Sequence, residues 1–477
     1  MIATASRKAA FRPLARDGEV ALFRQIYEHF RRAIADGQLA PGDRLPSCRR
    51  LAEQFATARG TVDAAYAMLA GEGYVVSRGP AGTIVSPDLA APSFVKLASR
   101  PRASTDVETI GSDEARPFQM GLPALDVFPR KLWAHLVGRQ ARRLSYPDMI
   151  YPDPAGSKLL RQAIAGYLAT SRGINCTWHQ VLITHGYQGG VDLTTSVLLK
   201  PRDQVWIEDP CYPPVRNALH SSGATIVPVR VDAEGMRVSE GRTRARRARL
   251  AVVTPSHQSP LGVALSLSRR LALLAWANET HAYVLEDDYD SEFRFAGRPL
   301  PALKSLDHSD RVVYAGTFSK VMFPGLRLGY LVVPGGLAAR FERASLERYA
   351  GHAMLEQEAV AAFVTEGHFG RHLKRMRHLY AARRRATADA LLEVFGNRIA
   401  LELQPGGLNL VVRPRGRVRD KKLARLAQQA GLAVEALSSR AIEHDCGQGL
   451  LLGFTNTPED AAVRLIGRLE RAIGKYL

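Results

Sequence analysis

The run Tyr314-Ala-Gly-Thr-Phe-Ser-Lys320-Val-Met-Phe-Pro-Gly-Leu-Arg327-Leu-Gly-Tyr330 sets one lysine among small and hydroxyl residues, with an arginine two helical turns later. Arg311-Val-Val-Tyr before it and Leu328 to Val333 after it have strand composition, which puts Lys320 at a strand's end. An amine there, flanked by Ser319 and Arg327, could hold a phosphate-bearing aldehyde as a Schiff base. Taken alone, the two charges could equally belong to a loop. The acidic knot Glu286-Asp287-Asp288-Tyr289-Asp290 follows another apolar run. Along an extended strand end, positions two apart face the same side, so Asp287 and Tyr289 would point together and Asp288 away. No further carboxylates or histidines stand at ligand spacing, so no metal site is expected.

Three more runs sit in equivalent places. Thr184-His185-Gly186-Tyr187-Gln188-Gly189-Gly190 follows Val181-Leu-Ile-Thr and opens a helical stretch, so its backbone amides suit a phosphate. Asp209-Pro-Cys-Tyr212-Pro follows Gln204-Val-Trp-Ile and offers an aromatic face for a planar ring. Thr254-Pro-Ser-His257-Gln-Ser-Pro-Leu-Gly262 follows Leu250-Ala-Val-Val, where an isolated histidine is by default structural. The elements that must position these residues are the apolar runs at 181, 204, 224, 250, 283, 311 and 328, separated by helical stretches such as Leu267 to Ala277. The pattern predicts an α/β domain with a mostly parallel sheet covered on both faces, its ligand beyond the carboxyl ends of the strands.

The first 90 residues read differently. Leu22, Ile26, Phe30 and Ile34 stand at helical spacing, and Asp36-Gly37 closes that stripe. Pro41-Gly-Asp-Arg-Leu-Pro-Ser47 is a rigid turn with Ser47 placed to cap a second helix, and Thr57 is placed to cap a third bearing Val62, Ala65, Tyr66 and Leu69. Gly71 to Val85 reads as two short strands around a glycine-rich tip. Three helices and a hairpin make a winged helix-turn-helix.

The formal charge of +19 over 477 residues invites a polyanion, yet residues 1 to 90 hold about 12 basic and about 9 acidic side chains. The densest basic runs, Arg242 to Arg249 and Arg371 to Arg385, are either solvated faces or auxiliary DNA contacts. Four scattered cysteines suggest neither disulfides nor zinc. No apolar run approaches the roughly 20 residues that cross a membrane, and no signal peptide opens the chain, so a cytoplasmic protein is expected. Proline, alanine and serine without periodicity mark a linker. The expected division is an arm over residues 1–18, a head over 19–88, a linker over 89–115 and a body over 116–477.

Leu39-Ala-Pro-Gly-Asp-Arg-Leu-Pro-Ser-Cys-Arg49-Arg-Leu-Ala resembles the DNA-binding head of the GntR regulators. The resemblance implies that the third helix enters the major groove of double-stranded DNA. Arg49 and Arg59 would reach phosphates or guanine edges, Thr61 would bond a phosphate, and Gly79 would bring the wing to the minor groove. Gly60 and Asp63 depart from the family's usual hydroxyl and basic residues, so the base preference does not carry over.

The five strand ends together resemble the fold-type I pyridoxal 5′-phosphate enzymes, specifically the class I aminotransferases, over most of residues 116 to 477, and imply a smaller C-terminal α+β subdomain. By that resemblance Lys320 forms the Schiff base, and Asp287 keeps the pyridine nitrogen protonated. Tyr289 bonds the phenolic oxygen with His257 near the same edge, and Tyr212 stacks on the ring. Gly186, Tyr187, Gln188, Ser319 and Arg327 surround the phosphate, and Tyr151 reaches the phosphate of a partner subunit. Three departures bear on catalysis. Gly449 to Phe454 lacks the arginine that usually holds a substrate carboxylate, Ser259-Pro-Leu-Gly replaces Asn-Pro-Thr-Gly, and Asn409 replaces a common histidine; Arg216 is a substitute candidate for the carboxylate.

Head and body together resemble the MocR regulators. The resemblance implies a homodimer with the head of one chain against the body of the other, binding a pair of DNA half-sites. It would sense pyridoxal phosphate, or its adduct with an amino acid or amine, and regulate genes of vitamin B6, amino acid or amine metabolism. Little or no turnover of amino acids is expected. The alternative is an active aminotransferase carrying a regulatory head.

Overall fold

All seven apolar runs of the body are strands of one eight-stranded sheet. In the computed structural model, which describes residues 14, 20–89, 115–297 and 300–477, its order is Val181–Thr184, Gly329–Val332, Val312–Thr317, Tyr283–Asp288, Leu250–Val253, Gln204–Asp209, Thr225–Asp232, Gly235–Met236. Six of these strands are co-directional; Gly329–Val332 and the short edge strand Gly235–Met236 run antiparallel to their neighbours. The sheet is therefore mixed. The expected arm, save Leu14, and the expected linker, save its two end residues, lie outside the described residues.

Side chains alternate across this sheet with a period of two. Leu182, Leu331, Ala315, Leu285, Val252 and Ile207 pack into one cluster, while Val284, Val312, Ala251, Val253 and Trp206 pack into another with Trp276, whose ring stacks on Trp206 at 3.8 Å. Helices such as Gly186–Leu198 and Leu267–Glu279 fill the crossovers between parallel strands. Because six strands point the same way, their carboxyl ends gather at one edge of the sheet. A four-stranded antiparallel sheet follows, ordered Ile399–Glu402, Asn409–Pro414, Leu450–Gly453, Glu435–Ala436, with helices His368–Phe395, Asp420–Gln429 and Ala462–Ile473. It forms the smaller C-terminal α+β part.

The chain divides into two compact units, Met1–Ile110 and Gly111–Leu477. In the first, helices Leu22–Ala35, Cys48–Gln54 and Arg59–Gly71 enclose Ile26, Phe30, Leu51, Val62 and Leu69, and strands Val75–Ser77 and Thr83–Val85 pair as the wing. The Pro-Gly-Asp-Arg-Leu-Pro-Ser turn works by backbone pairing. Gly42 N donates to Val85 O at 3.0 Å, Leu45 N to Thr83 O at 2.9 Å, and the Tyr66 hydroxyl to Pro46 O at 2.9 Å, so the turn ties the wing to the third helix. Ser47 caps the second helix as expected, accepting from Arg50 N. Thr57 does not cap the third: Ala56 adopts a positive φ of 49°, the helix starts two residues later at Arg59, and Ala58 stands at the cap without a side-chain bond.

Several arginines of the two basic runs have partners within the body. Arg242 pairs with Glu279 at 2.6 Å, and Arg244 with Glu443 at 2.7 Å. In the second run Arg377 donates to Glu292 O at 2.7 Å, the buried Arg383 to Thr455 O at 2.6 Å, and Arg384 to Gln404 O. These arginines hold elements of the body together.

Candidate functional site

The carboxyl edge of the large sheet opens into a cavity of about 310 Å³. Lys320, Asp287, Tyr289, Tyr212, Arg327 and Ser319 line it, joined by Tyr187 and Gln188 from the first turn of the helix Gly186–Leu198. The Lys320 amine donates to the Gly121 carbonyl at 2.9 Å. Gly121 has a φ of +68°, and a Cβ there would collide with the amine, so only glycine lets the chain pass this close. Burial lowers the Lys320 amine below its ordinary range, against the pull of the Asp287 and Asp290 carboxylates.

Asp287 and Tyr289 face the cavity, and Asp288 does not. Burial pushes the Asp287 carboxyl well above the usual carboxylate range, and its Oδ1 has no hydrogen-bond partner. Asp288 instead meets Arg172 Nε at 2.7 Å and accepts the Tyr314 hydroxyl at 2.6 Å. The Tyr289 hydroxyl lies 3.0 Å from His257 Nδ1, which is also 3.1 Å from Asp290 Oδ2. His257 thus stands behind Tyr289, packed so closely on Gly407 and Gly262 that a side chain at Gly407 would overlap its ring. Its loop is fixed by buried Glu208, which accepts Thr254 Oγ1 at 2.5 Å and is pushed up to about 7 by burial.

Gly186, at the helix start, packs on the Arg327 guanidinium, and Arg327 itself has a left-handed backbone with φ 50°. The helix amino terminus and this arginine thus lie together at one corner of the cavity, an arrangement with the charge to suit an anion. Tyr151 is 87% exposed and is not among the residues lining this cavity. Arg216 lies on the helix Pro213–Ser221 and is not among the lining residues either. Asn409 lines the cavity and donates to Pro260 O at 3.3 Å.

Reading the sequence alone missed two charged residues. Arg440 and Glu435 both line the cavity, paired with each other, with the guanidinium carbon 6.0 Å from the Tyr212 ring centroid. Gly449 to Phe454 has no arginine, yet a guanidinium arrives from the short helix Leu437–Arg440 just upstream. Nothing local marks it, because its position is set by a distant carboxylate. Asp209, at the end of its strand, accepts three consecutive backbone amides, Ile442 at 2.7 Å, Glu443 at 2.8 Å and His444 at 2.7 Å. Cys211 N donates to Arg440 O at 3.1 Å. We expect Asp209→Asn to weaken this anchor by about 2–4 kcal/mol, since charge-assisted bonds to amides exceed neutral ones. Hydrogen exchange at residues 442–444 should accelerate in that variant; unchanged protection would show that the loop is held by other contacts.

In the head, Arg49 and Arg59 are exposed and, among the described residues, pair with neighbours on their own helices, Glu53 at 3.3 Å and Asp63 at 3.5 Å. Thr61 lies in the first turn of the third helix, and Gly79 starts the tip of the wing with φ +55°. Among the described residues no helix is long and apolar enough to cross a membrane, and no group of three or more His, Cys, Asp or Glu could hold a metal.

Two family models match in tandem: the gntR family of bacterial regulatory proteins over residues 22–85, and aminotransferase class I and II over residues 137–447. The probable rhizopine catabolism regulatory protein MocR of Rhizobium meliloti is 38% identical over 461 residues, covering 92% of this chain and 91% of its own. The chain belongs to the MocR family of GntR-type regulators. This MocR-type chain is also 32% identical over 453 residues to the pyridoxine biosynthesis transcriptional regulator PdxR of Corynebacterium glutamicum, covering 94% of this chain and 95% of that one. The kynurenine aminotransferase of Pyrococcus horikoshii superposes on the body of the regulator with a TM-score of 0.69 and 27% identity, covering 76% of this chain and 91% of that chain. The MocR-type chain is a transcriptional regulator with a DNA-binding GntR head and an aminotransferase-like fold-type I body.

Proposed function

We propose that the body binds pyridoxal 5′-phosphate through Lys320, and that the cofactor or its adduct with an amino acid or amine sets how the head engages DNA. The observation that carries this reading is the pairing, in one buried cavity, of an amine with lowered proton affinity and a carboxyl whose Oδ1 has no partner. Those residues fit the cofactor. The lysine offers a neutral amine to an aldehyde, and a protonated ring nitrogen would give Asp287 the cation that its burial otherwise denies it. When bound, the cofactor supplies an electron-withdrawing ring and a carbonyl carbon that captures primary amines. Arg327, Ser319, Gln188 and the helix start at Gly186 and Tyr187 hold the phosphate, Tyr212 covers a ring face, and Tyr289 with His257 behind it bonds the phenolic oxygen.

The remaining parts follow the same reading. Residues 19–88 act as the head, 89–115 as linker and 116–477 as body of a cytoplasmic homodimer that reads a pair of half-sites. Tyr151, exposed in the single chain, reaches the partner's phosphate. Arg49, Arg59, Thr61 and Gly79 contact DNA. Arg59→Ala should weaken operator binding by about 1–3 kcal/mol, and a salt slope reduced by about one would assign the contact to a phosphate. Unchanged affinity at every salt concentration would remove Arg59 from the interface. The regulated genes serve vitamin B6, amino acid or amine metabolism; among the relatives, PdxR is named for pyridoxine biosynthesis and MocR for rhizopine catabolism.

The test is a titration of purified protein with pyridoxal 5′-phosphate, followed by visible absorbance, together with gel-shift assays on its own upstream region with and without the vitamer and a panel of amines. No absorption band and DNA binding indifferent to the compound would sink the proposal. Arg440 favours a second reading, because it supplies the guanidinium that Gly449 to Phe454 lacks. Sustained release of keto acid from an amino donor would make the body an aminotransferase.

A further inference from the structure

Beside the residues assigned to the cofactor, the cavity holds one more charged pair, Arg440 with Glu435. The arginine side chain is only 10% exposed, while the glutamate, 34% exposed, stands partly open to solvent at the cavity wall. Arg440 Nη2 donates to Glu435 Oε2, while Arg440 Nε is buried without a hydrogen-bond partner. Both charges act on the Lys320 amine, in opposite directions.

A ligand entering beside Lys320 therefore does not meet a free guanidinium. It meets a neighbouring plus and minus. A ligand whose far end is a lone carboxylate would compete with Glu435 for Arg440 and leave two carboxylates facing each other, a repulsion that a partly buried site screens poorly. A ligand whose far end carries adjacent positive and negative groups would meet both at once, acid against Arg440 and ammonium against Glu435, with no charge stranded. An α-amino acid head is such a group, with its ammonium and carboxylate on one carbon.

We propose that Glu435 is a specificity-determining residue that makes the cavity select diamino acids, which present the ω-amine to Lys320 and the zwitterionic α-amino acid head to the Arg440–Glu435 pair. The inference rests on the reading of Lys320 as the cofactor lysine, and it adds what the amine ligand must be. No bond is made or broken at the pair itself. Selection there is by charge complementarity alone, and replacing the glutamate by its neutral amide removes the negative half while keeping the shape.

The probes are L-ornithine, 5-aminopentanoate, which lacks the α-ammonium, and L-norvaline, which lacks the ω-amine. Binding to the full chain is measured both by the change in the cofactor's visible band and by calorimetry. L-Ornithine should bind about tenfold more tightly than either of the others, a ratio in the range of a partly buried charge pair. In Glu435→Gln the preference for ornithine over 5-aminopentanoate should fall to near unity, and Glu435→Asp should retain part of it. The absorption band and melting temperature of each variant report whether the cavity is intact. Equal affinities in the wild type, tighter binding of 5-aminopentanoate, or a preference that survives Glu435→Gln would overturn the proposal. Absence of the band would overturn the cofactor reading instead, while calorimetry would still rank the three probes and decide the role of Glu435.

Discussion

Lys320→Ala should abolish the visible band expected of the wild type with pyridoxal 5′-phosphate, and with it any response of promoter binding to that vitamer. A covalent imine requires a primary amine within reach of the aldehyde, and Lys320 is the lysine among the residues lining the cavity. Its amine is held by a single carbonyl, that of Gly121, and burial favours the neutral form that attacks a carbonyl carbon. Lys320→Arg is the matched control. It keeps a positive charge opposite Asp287 but cannot form the imine, so it too should lose the band. A band that persists in the alanine variant would place the chemistry on another amine. A band retained only in the arginine variant would show that charge, not covalency, holds the cofactor.

The second large effect separates two adjacent carboxylates. Asp288→Ala should destabilise the body by about 3–5 kcal/mol, because it leaves the Arg172 guanidinium charged and buried without its partner. The side chains of that pair are only 5% and 1% exposed, and Tyr314 loses its acceptor as well. Asp287→Asn should behave in the opposite sense in cofactor-free protein. Its folded-state carboxyl is raised well above the ordinary 3.8, so the stability tied to its proton is present at acid pH and is lost as pH rises past that value. The amide cannot ionise, so the variant should gain on the wild type above about pH 4 and lose that advantage below it. The same substitution should weaken cofactor binding, since the ring nitrogen loses its counter-ion. Denaturant titrations at several pH values read both effects. Equal destabilisation by the two substitutions would mean that the two side chains share one environment.

That contrast also marks what could be read from the chain itself. Strand periodicity is local: side chains two apart share a face whatever the rest of the molecule does, so Asp287 and Tyr289 on one side and Asp288 on the other followed from spacing alone. The gathering of Gly186, Tyr212, His257, Asp287 and Lys320 at one sheet edge followed too, because co-directional strands bring all their carboxyl ends to the same place. The helices and wing of the head rest on the same kind of local signal, a turn whose prolines and glycine admit few backbone paths. Where the local signal was weak, it misled. Thr57 has the chemistry of a cap, but the preceding residue takes a left-handed conformation that moves the helix start past it.

Sequence by itself determined the fold of each unit and the meeting of Lys320, Asp287 and Arg327 at one edge of the large sheet. Tertiary structure alone decided that Arg440 and Glu435 enter the cavity, that Gly121 closes over the lysine, and that several arginines of the basic runs tie elements of the body together. The physical reason is the range of the forces involved. Hydrophobic period and turn chemistry act over a few residues, whereas the place of Arg440 depends on three amides reaching Asp209 across more than 200 intervening residues. No pattern along the chain encodes that contact, because it joins residues of two separately packed sheets.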